Sequence, residues 1–150
     1  MQREFEKTKE WNILMGNKVP AVFTLPSPDI RSLATTLMYE EADELEEATT
    51  KDEALDAVSD QLFVLFGNAA KYGLEYKEIF EYFKKVCKSN NSKFANTEEE
   101  AKRSIDKEAL RLDISPSDID YMELNGKYVI FNKETTKILK SVNYKEPTEY

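Results

Sequence analysis

Glu40-Glu41-Ala42-Asp43-Glu44-Leu45-Glu46-Glu47 and, after a short break, Glu53-Ala54-Leu55-Asp56-Ala57-Val58-Ser59-Asp60-Gln61-Leu62-Phe63-Val64-Leu65-Phe66 decide how this chain is read. At 100° per residue, Ile30, Leu33, Ala34, Leu37, Leu45 and Ala48 fall in one arc of a helix running from about Asp29 to Thr49. Glu41 and Glu44 fall inside that arc and Glu40 lies on its edge, whereas Asp43, Glu46 and Glu47 point away as solvated surface. A second helix, about Glu53 to Tyr72, has Leu55, Val58, Leu62, Leu65, Phe66 and Ala69 on one face. Its Glu53, Asp56 and Asp60 lie on another face, which Phe63, Val64 and Gly67 continue. Thr50-Lys51-Asp52 is too short to be anything but a tight connection, with Thr and Asp suited to cap the second helix. The two helices are therefore expected to pack antiparallel and bring both acidic sets together.

Ionised carboxylates are costly to bury unless a positive charge neutralises them. Four or five around one cleft suit an oxygen-ligated divalent cation, Mg²⁺ or Mn²⁺. Such an ion bridges phosphate oxygens and lowers the pKa of a bound water, and a spare carboxylate can take the proton. A solvated acidic rim is the other reading of the same spacing. The chain has no histidine, which removes His-metal sites, His general bases and a Ser-His-Asp triad. No glycine-rich phosphate loop precedes a Lys-Ser/Thr pair, and no acidic run has EF-hand spacing.

Working outward, residues 3–15 read as a helix through Phe5, Thr8, Trp11, Asn12 and Met15. The connector 17–28 carries Pro20, Pro26 and Pro28, and its Val19, Val22, Phe23 and Leu25 are expected to find a core. A fourth helix covers about Glu75–Cys87, broken by Lys88-Ser89-Asn90-Asn91-Ser92-Lys93. Thr97 and Glu100 form a capping box for a polar fifth helix, Glu98–Leu110, packing through Ala101, Ile105 and Leu110. Lys127–Phe131 and Thr136–Lys140 read as two strands around Asn132–Thr135, and Asn125-Gly126 as a turn. The fold class expected is mainly α: one domain over 1–150, with a helical core at about 3–111 and a small hairpin extension at about 120–147. Trp11 and Phe23 are expected in the core, and Tyr121, Tyr128 and Tyr144 over apolar surface.

A net charge of -8 argues against a nucleic-acid polymer as partner. The single Cys87 excludes an internal disulfide framework and fits a reducing compartment. No apolar run spans a membrane, and a cytoplasmic protein is expected, in a cell or in an infected host.

Glu40-Glu41-x-x-Glu44 followed by Glu53-x-x-Asp56 resembles the EExxE…ExxD signature of the MazG-like, all-α NTP pyrophosphatase superfamily. That superfamily includes dimeric dUTPases and phosphoribosyl-ATP pyrophosphohydrolases. Asp56–Gly67 is similar to the DALADLLYVVYG helix of its phage and bacterial branch, Lys88–Lys93 to that branch's RSNMSK segment, and 126–147 to the tail of phage members. The resemblance runs from about Trp11 to Pro147 and implies an all-α pyrophosphatase-like bundle. It implies Mg²⁺-dependent cleavage of a nucleoside triphosphate to monophosphate and pyrophosphate, here a deoxynucleotide handled in pool control, and assembly as a dimer or tetramer. It makes Glu40, Glu41, Glu44 and Asp56 the metal ligands, with Asp60 an outer or third-site carboxylate, or the inner ligand in place of Asp56. Glu53 becomes a ligand or the residue that positions water. Asn90 and Lys93 would hold triphosphate or ribose; from side-chain chemistry alone, base choice needs a pocket built from groups such as Asn12, Trp11, Asn90 or a tyrosine. Two departures stand out: Cys87 occupies a place where many relatives carry histidine, and the gap from Glu44 to Glu53 is short. The contrasting reading is a non-catalytic helical interaction module with a relict acidic cleft.

Overall fold

A computed structural model describes all residues, Met1–Tyr150. The elements in order are α1 (Gln2–Leu14), α2 (Pro28–Glu47), α3 (Lys51–Lys71), α4 (Tyr76–Asn91), α5 (Glu98–Leu112), β1 (Ile119–Leu124) and β2 (Lys127–Asn132). The protein is mainly α with one small antiparallel hairpin. The chain divides into two compact units, Met1–Ile79 and Phe80–Tyr150.

In the first unit, α2 starts where Pro28 takes the first helical position, a place that needs no N–H. It ends as Ala48 turns extended. Thr50 and Glu53 then form a reciprocal capping box for α3. Two cross-helix hydrogen bonds fix the α2–α3 pairing: Gln61 Nε2 donates to Glu41 O (3.0 Å) and Asn68 Nδ2 to Ala34 O (3.4 Å). Between them α2 steps back from 41 to 34 while α3 steps forward from 61 to 68, the mark of antiparallel helices. The α1 helix packs on α3 through Phe5 against Phe66 and Trp11 against Phe63, both edge-on at 5.4 and 5.2 Å. Gly67 lets α1 approach, because a Cβ there would lie 2.9 Å from Asn12 Nδ2. Gly73, at φ 69°, ends α3 beneath the connector, and a Cβ would strike Val22 O at 2.3 Å.

Burial in this unit departs from the periodicity. No residue of α2 is buried, and Ile30, Leu33 and Leu45 on α2 and Leu55, Val58, Leu62, Phe63 and Leu65 on α3 are all exposed. Val22, Phe23 and Leu25 of the connector and Trp11 are exposed too, against the expectation of core positions. The connector lies on the end of α3, with Thr24 N–H donating to Tyr72 O (3.0 Å) and Phe23 stacked on Tyr72. It closes a surface but is not itself covered.

The second unit is built on α5 and the hairpin. Its core holds Ala95, Ala101, Ala109, Ile119, Ile130 and Leu139, with Ile105, Ile114, Tyr121 and Tyr128 packed around them. The inward positions of α5 are small or polar (Ala101, Ser104, Glu108, Ala109), and Leu110, expected to pack, is 86% exposed. The hairpin is shifted from its expected position: Ile119–Leu124 pairs with Lys127–Asn132 across Asn125-Gly126. Residue 138 makes only an isolated bridge to Phe131. The acidic, weakly apolar run Asp120-Tyr121-Met122-Glu123 hides the first strand. The α4 helix also runs on through Asn91, past the expected break, since 88–91 holds neither glycine nor proline and Ser89 is anchored by donating to Lys145 O (2.7 Å). At α5 Thr97 caps the Glu100 N–H, while Glu100 itself accepts from Asn96 N–H.

Candidate active site: an acidic helix hairpin

Antiparallel pairing puts the end of α2 beside the start of α3, and this is where the carboxylates gather. A cleft of about 330 Å³ at the turn is lined by Glu44, Glu47, Ala48, Thr49, Glu53 and Asp56. Glu53 is held: its Oε2 accepts from Thr49 N–H (2.7 Å), Thr49 Oγ1 (3.0 Å) and Thr50 N–H (3.0 Å). These bonds, led by the Thr49 N–H, keep its carboxyl below the usual glutamate range. One turn along α2, Glu41 is in the opposite situation. It is half-buried, and its Oε2 is covered and has no hydrogen-bond partner. Loss of water, then repulsion from Glu44, Asp60, Glu40 and Asp56 in that order, pushes its carboxyl upward. Glu40, Glu41, Glu44, Asp56 and Asp60 therefore share one electrostatic neighbourhood, although only Glu41 carries an orphaned buried oxygen.

These residues suit a hard divalent cation. All donors are carboxylate oxygens, and a cation would relieve both the orphaned oxygen and the mutual repulsion. No three Asp, Glu or Cys side chains form a ready-made ion cage as they stand.

Farther along the same unit a cavity of about 200 Å³ is lined by Trp11, Asn12, Leu37, Phe63, Val64, Gly67, Asn68 and Lys71. Asn12 is 2% exposed; its Nδ2 donates to Thr8 O (2.9 Å) and its Oδ1 accepts from Asn17 (3.1 Å). Asn12 thus shapes the wall more than it offers free groups. Asn68 and Lys71 were not singled out by motif. Their signal is geometric: Phe63, Val64, Gly67, Asn68 and Lys71 recur at helical spacing on the side of α3 that meets α1.

The other expected contact residues lie in the second unit. Asn90 sits exposed in the last turn of α4, its Nδ2 donating to Val86 O (3.0 Å). Lys93 lines a separate cavity with Arg111, Lys137 and Lys140.

The family comparison covers the acidic hairpin and the α1–α3 cavity. Residues 9–86 match phosphoribosyl-ATP pyrophosphohydrolase, just over half of the chain and all of α2 and α3. The chain belongs to the phosphoribosyl-ATP pyrophosphohydrolase family. This family lies within the MazG-like all-α NTP pyrophosphatase superfamily; it comprises nucleotide pyrophosphohydrolases that in general depend on a divalent metal. Asn90, Lys93, α5 and the hairpin lie beyond the matched span. No curated protein matches the chain. No helix is long and apolar enough to cross a membrane.

Proposed function

We propose that the protein is a Mg²⁺-dependent pyrophosphohydrolase that converts a deoxynucleoside triphosphate to its monophosphate and pyrophosphate, in nucleotide-pool control. The observation that carries this reading is the covered, partnerless Glu41 oxygen amid four further carboxylates, in a chain of a nucleotide pyrophosphohydrolase family. Glu40, Glu41, Glu44 and Asp56 would hold the ion, with Asp60 beside Asp56 on the same face of α3. Bound there, a divalent ion polarises the phosphates and lowers the pKa of water. Glu53 keeps its Oε1 free of the bonds that engage Oε2 and is the carboxylate suited to orient the attacking water. Its lowered pKa makes it a poor proton store, which leaves proton uptake to a carboxylate that the ion does not engage.

The helix geometry favours a nucleotide lying along α3. Asp56, Asp60, Phe63, Val64, Gly67 and Lys71 share one stripe at 100° per residue. Asp60 and Gly67 are about 10 Å apart along the axis at 1.5 Å per residue, the scale of a nucleotide from phosphate to base. The aromatic edges of Trp11 and Phe63 would receive the base, with Asn12 and Asn68 shaping the wall of its pocket. The apolar side chains that α2 and α3 leave uncovered support assembly as a symmetric dimer or tetramer. Light scattering returning only a 17.4 kDa species at micromolar concentration would reject that assembly.

The activity is tested by incubating the protein with each dNTP and its ribonucleotide, with Mg²⁺ or Mn²⁺, and resolving the products by phosphorus NMR. Monophosphate and pyrophosphate are expected, with higher kcat/KM on the deoxy form. Release of inorganic phosphate alone, or no turnover with either metal, refutes the reading; a ribonucleotide preference beyond about tenfold refutes only the sugar assignment.

A further inference from the structure

The second unit carries a cavity of the opposite electrical character. Its volume is about 270 Å³, and it lies against Arg111 and Leu112 at the end of α5, Lys93, and the segment after β2. Four lining residues are cationic (Lys93, Arg111, Lys137 and Lys140) and none is acidic. The chain as a whole has 29 Asp and Glu against 21 Lys and Arg, so this lining runs against the composition. Like charges gathered round a common cavity repel each other unless anions offset them, and Glu108 and Glu146 offset only two of the four.

The cations are arranged unequally. Glu108 is 0% exposed and accepts two bonds from Arg111, Nε to Oε1 at 2.8 Å and Nη2 to Oε2 at 2.7 Å. This pair uses two of the five guanidinium N–H groups and fixes the plane of the fork, leaving three donors. Lys140 is steadied by Glu146 (2.9 Å) and by the Tyr144 ring beneath it (4.1 Å). The ammonium groups of Lys93 and Lys137 have no ion-pair partner. One rigid planar donor, one steadied ammonium and two free ones suit a multiply charged anion with oxygens in several directions. That describes phosphate better than a carboxylate, which a single fork would satisfy.

We propose that this cavity is an anion site in its own right that takes a polyphosphate group, from inorganic pyrophosphate or from the tail of a nucleotide. All four cations lie beyond residues 9–86, and the site does not depend on the hydrolytic reading.

The test is calorimetric titration of sodium pyrophosphate, and separately of dATP, into the full chain at low ionic strength with EDTA present. Without a divalent ion the acidic carboxylates repel both ligands, so binding reports the basic cavity. Saturable binding is expected, weakened at least tenfold by Lys137→Glu, less by Lys137→Ala, and unchanged by Glu41→Gln. Lys137 is exposed, so both variants are expected to fold, as circular dichroism will verify. Pyrophosphate binding as tightly as dATP assigns the site to the phosphates alone; dATP binding tenfold tighter assigns it to a nucleotide tail. No saturable heat with either ligand, equal affinity in Lys137→Glu, or equal binding of sulfate overturns the proposal.

Discussion

Replacing Glu108 by glutamine should destabilise the second unit by a predictable amount. The carboxylate is fully buried, and its Oε2 serves two donors, Arg111 Nη2 at 2.7 Å and Lys140 N–H at 3.3 Å. A glutamine can present one oxygen, which satisfies either the Arg111 Nε side or the pair at Oε2. The amide NH₂ then faces a donor with no acceptor between them. Losing a charge-assisted bond costs about 1.5–3 kcal/mol, and a stranded buried amide about 1–3 kcal/mol. Arg111 is 46% exposed, so water recovers part of this, and the net is about 3 kcal/mol. For a chain of this length that lowers the melting temperature by roughly 6–12 °C, read by far-UV circular dichroism. The pH dependence gives a second check. Burial pulls the Glu108 carboxyl up, but the Arg111 bonds, the Lys140 N–H and the charges of Arg111 and Lys107 outweigh it and leave it below its ordinary 4.5. A lowered folded value means the stabilisation is fully present above 4.5 and is lost as pH falls through the folded value. The gap between wild type and Glu108→Gln should therefore narrow in acid. A melting shift under 2 °C, or a gap that widens in acid, would refute the reasoning.

Gly67→Ala places a methyl 2.9 Å from Asn12 Nδ2. Both ends of that amide are already held, by Thr8 O and Asn17, so a loss of about 1–3 kcal/mol from overpacking is expected; urea denaturation followed by Trp11 fluorescence measures it, and an unchanged midpoint contradicts the α1–α3 contact. Glu41→Gln removes one charge from five mutually repelling carboxylates; in metal-free buffer the variant should melt above wild type, while its turnover with Mg²⁺ falls at least 10²-fold. A lower melting temperature would mean that Glu41 has a favourable partner. Thr50→Ala removes the side-chain half of the α3 capping box and should cost about 1 kcal/mol, seen as a lower urea midpoint.

Local chemistry was readable from the residues. A cap in the Thr50-Lys51-Asp52 stretch and the short α2–α3 connection depend on neighbours within a turn or two, and the structure has both, with Thr50 as the cap and α3 starting at Lys51. Burial was less readable, because apolar spacing marks which face of α2 and α3 wants cover, not whether this chain supplies it. Ile30, Leu33 and Leu62 stay exposed for that reason. The second unit was hardest to read. Its interior is tied by polar groups distant in sequence: Ser104 Oγ accepts the Val142 N–H, Ser141 donates to Ser92 O, and Glu108 Oε2 accepts the Lys140 N–H. A buried serine or glutamate carries no periodic signal, and the same long-range bonds hold the tail where a strand at 136–140 was expected. The basic cavity is invisible for the same cause, since Lys93, Arg111, Lys137 and Lys140 converge only on folding.

The central claim is that the α2–α3 carboxylates hold a divalent cation, and titrating Mn²⁺ into metal-free protein tests it most directly. Calorimetry on wild type and Glu41→Gln, both checked for fold, should show saturable binding in the first that weakens at least tenfold in the second. Identical isotherms for the two proteins, or no saturable heat in wild type even with a non-hydrolysable dNTP analogue present, would contradict the account.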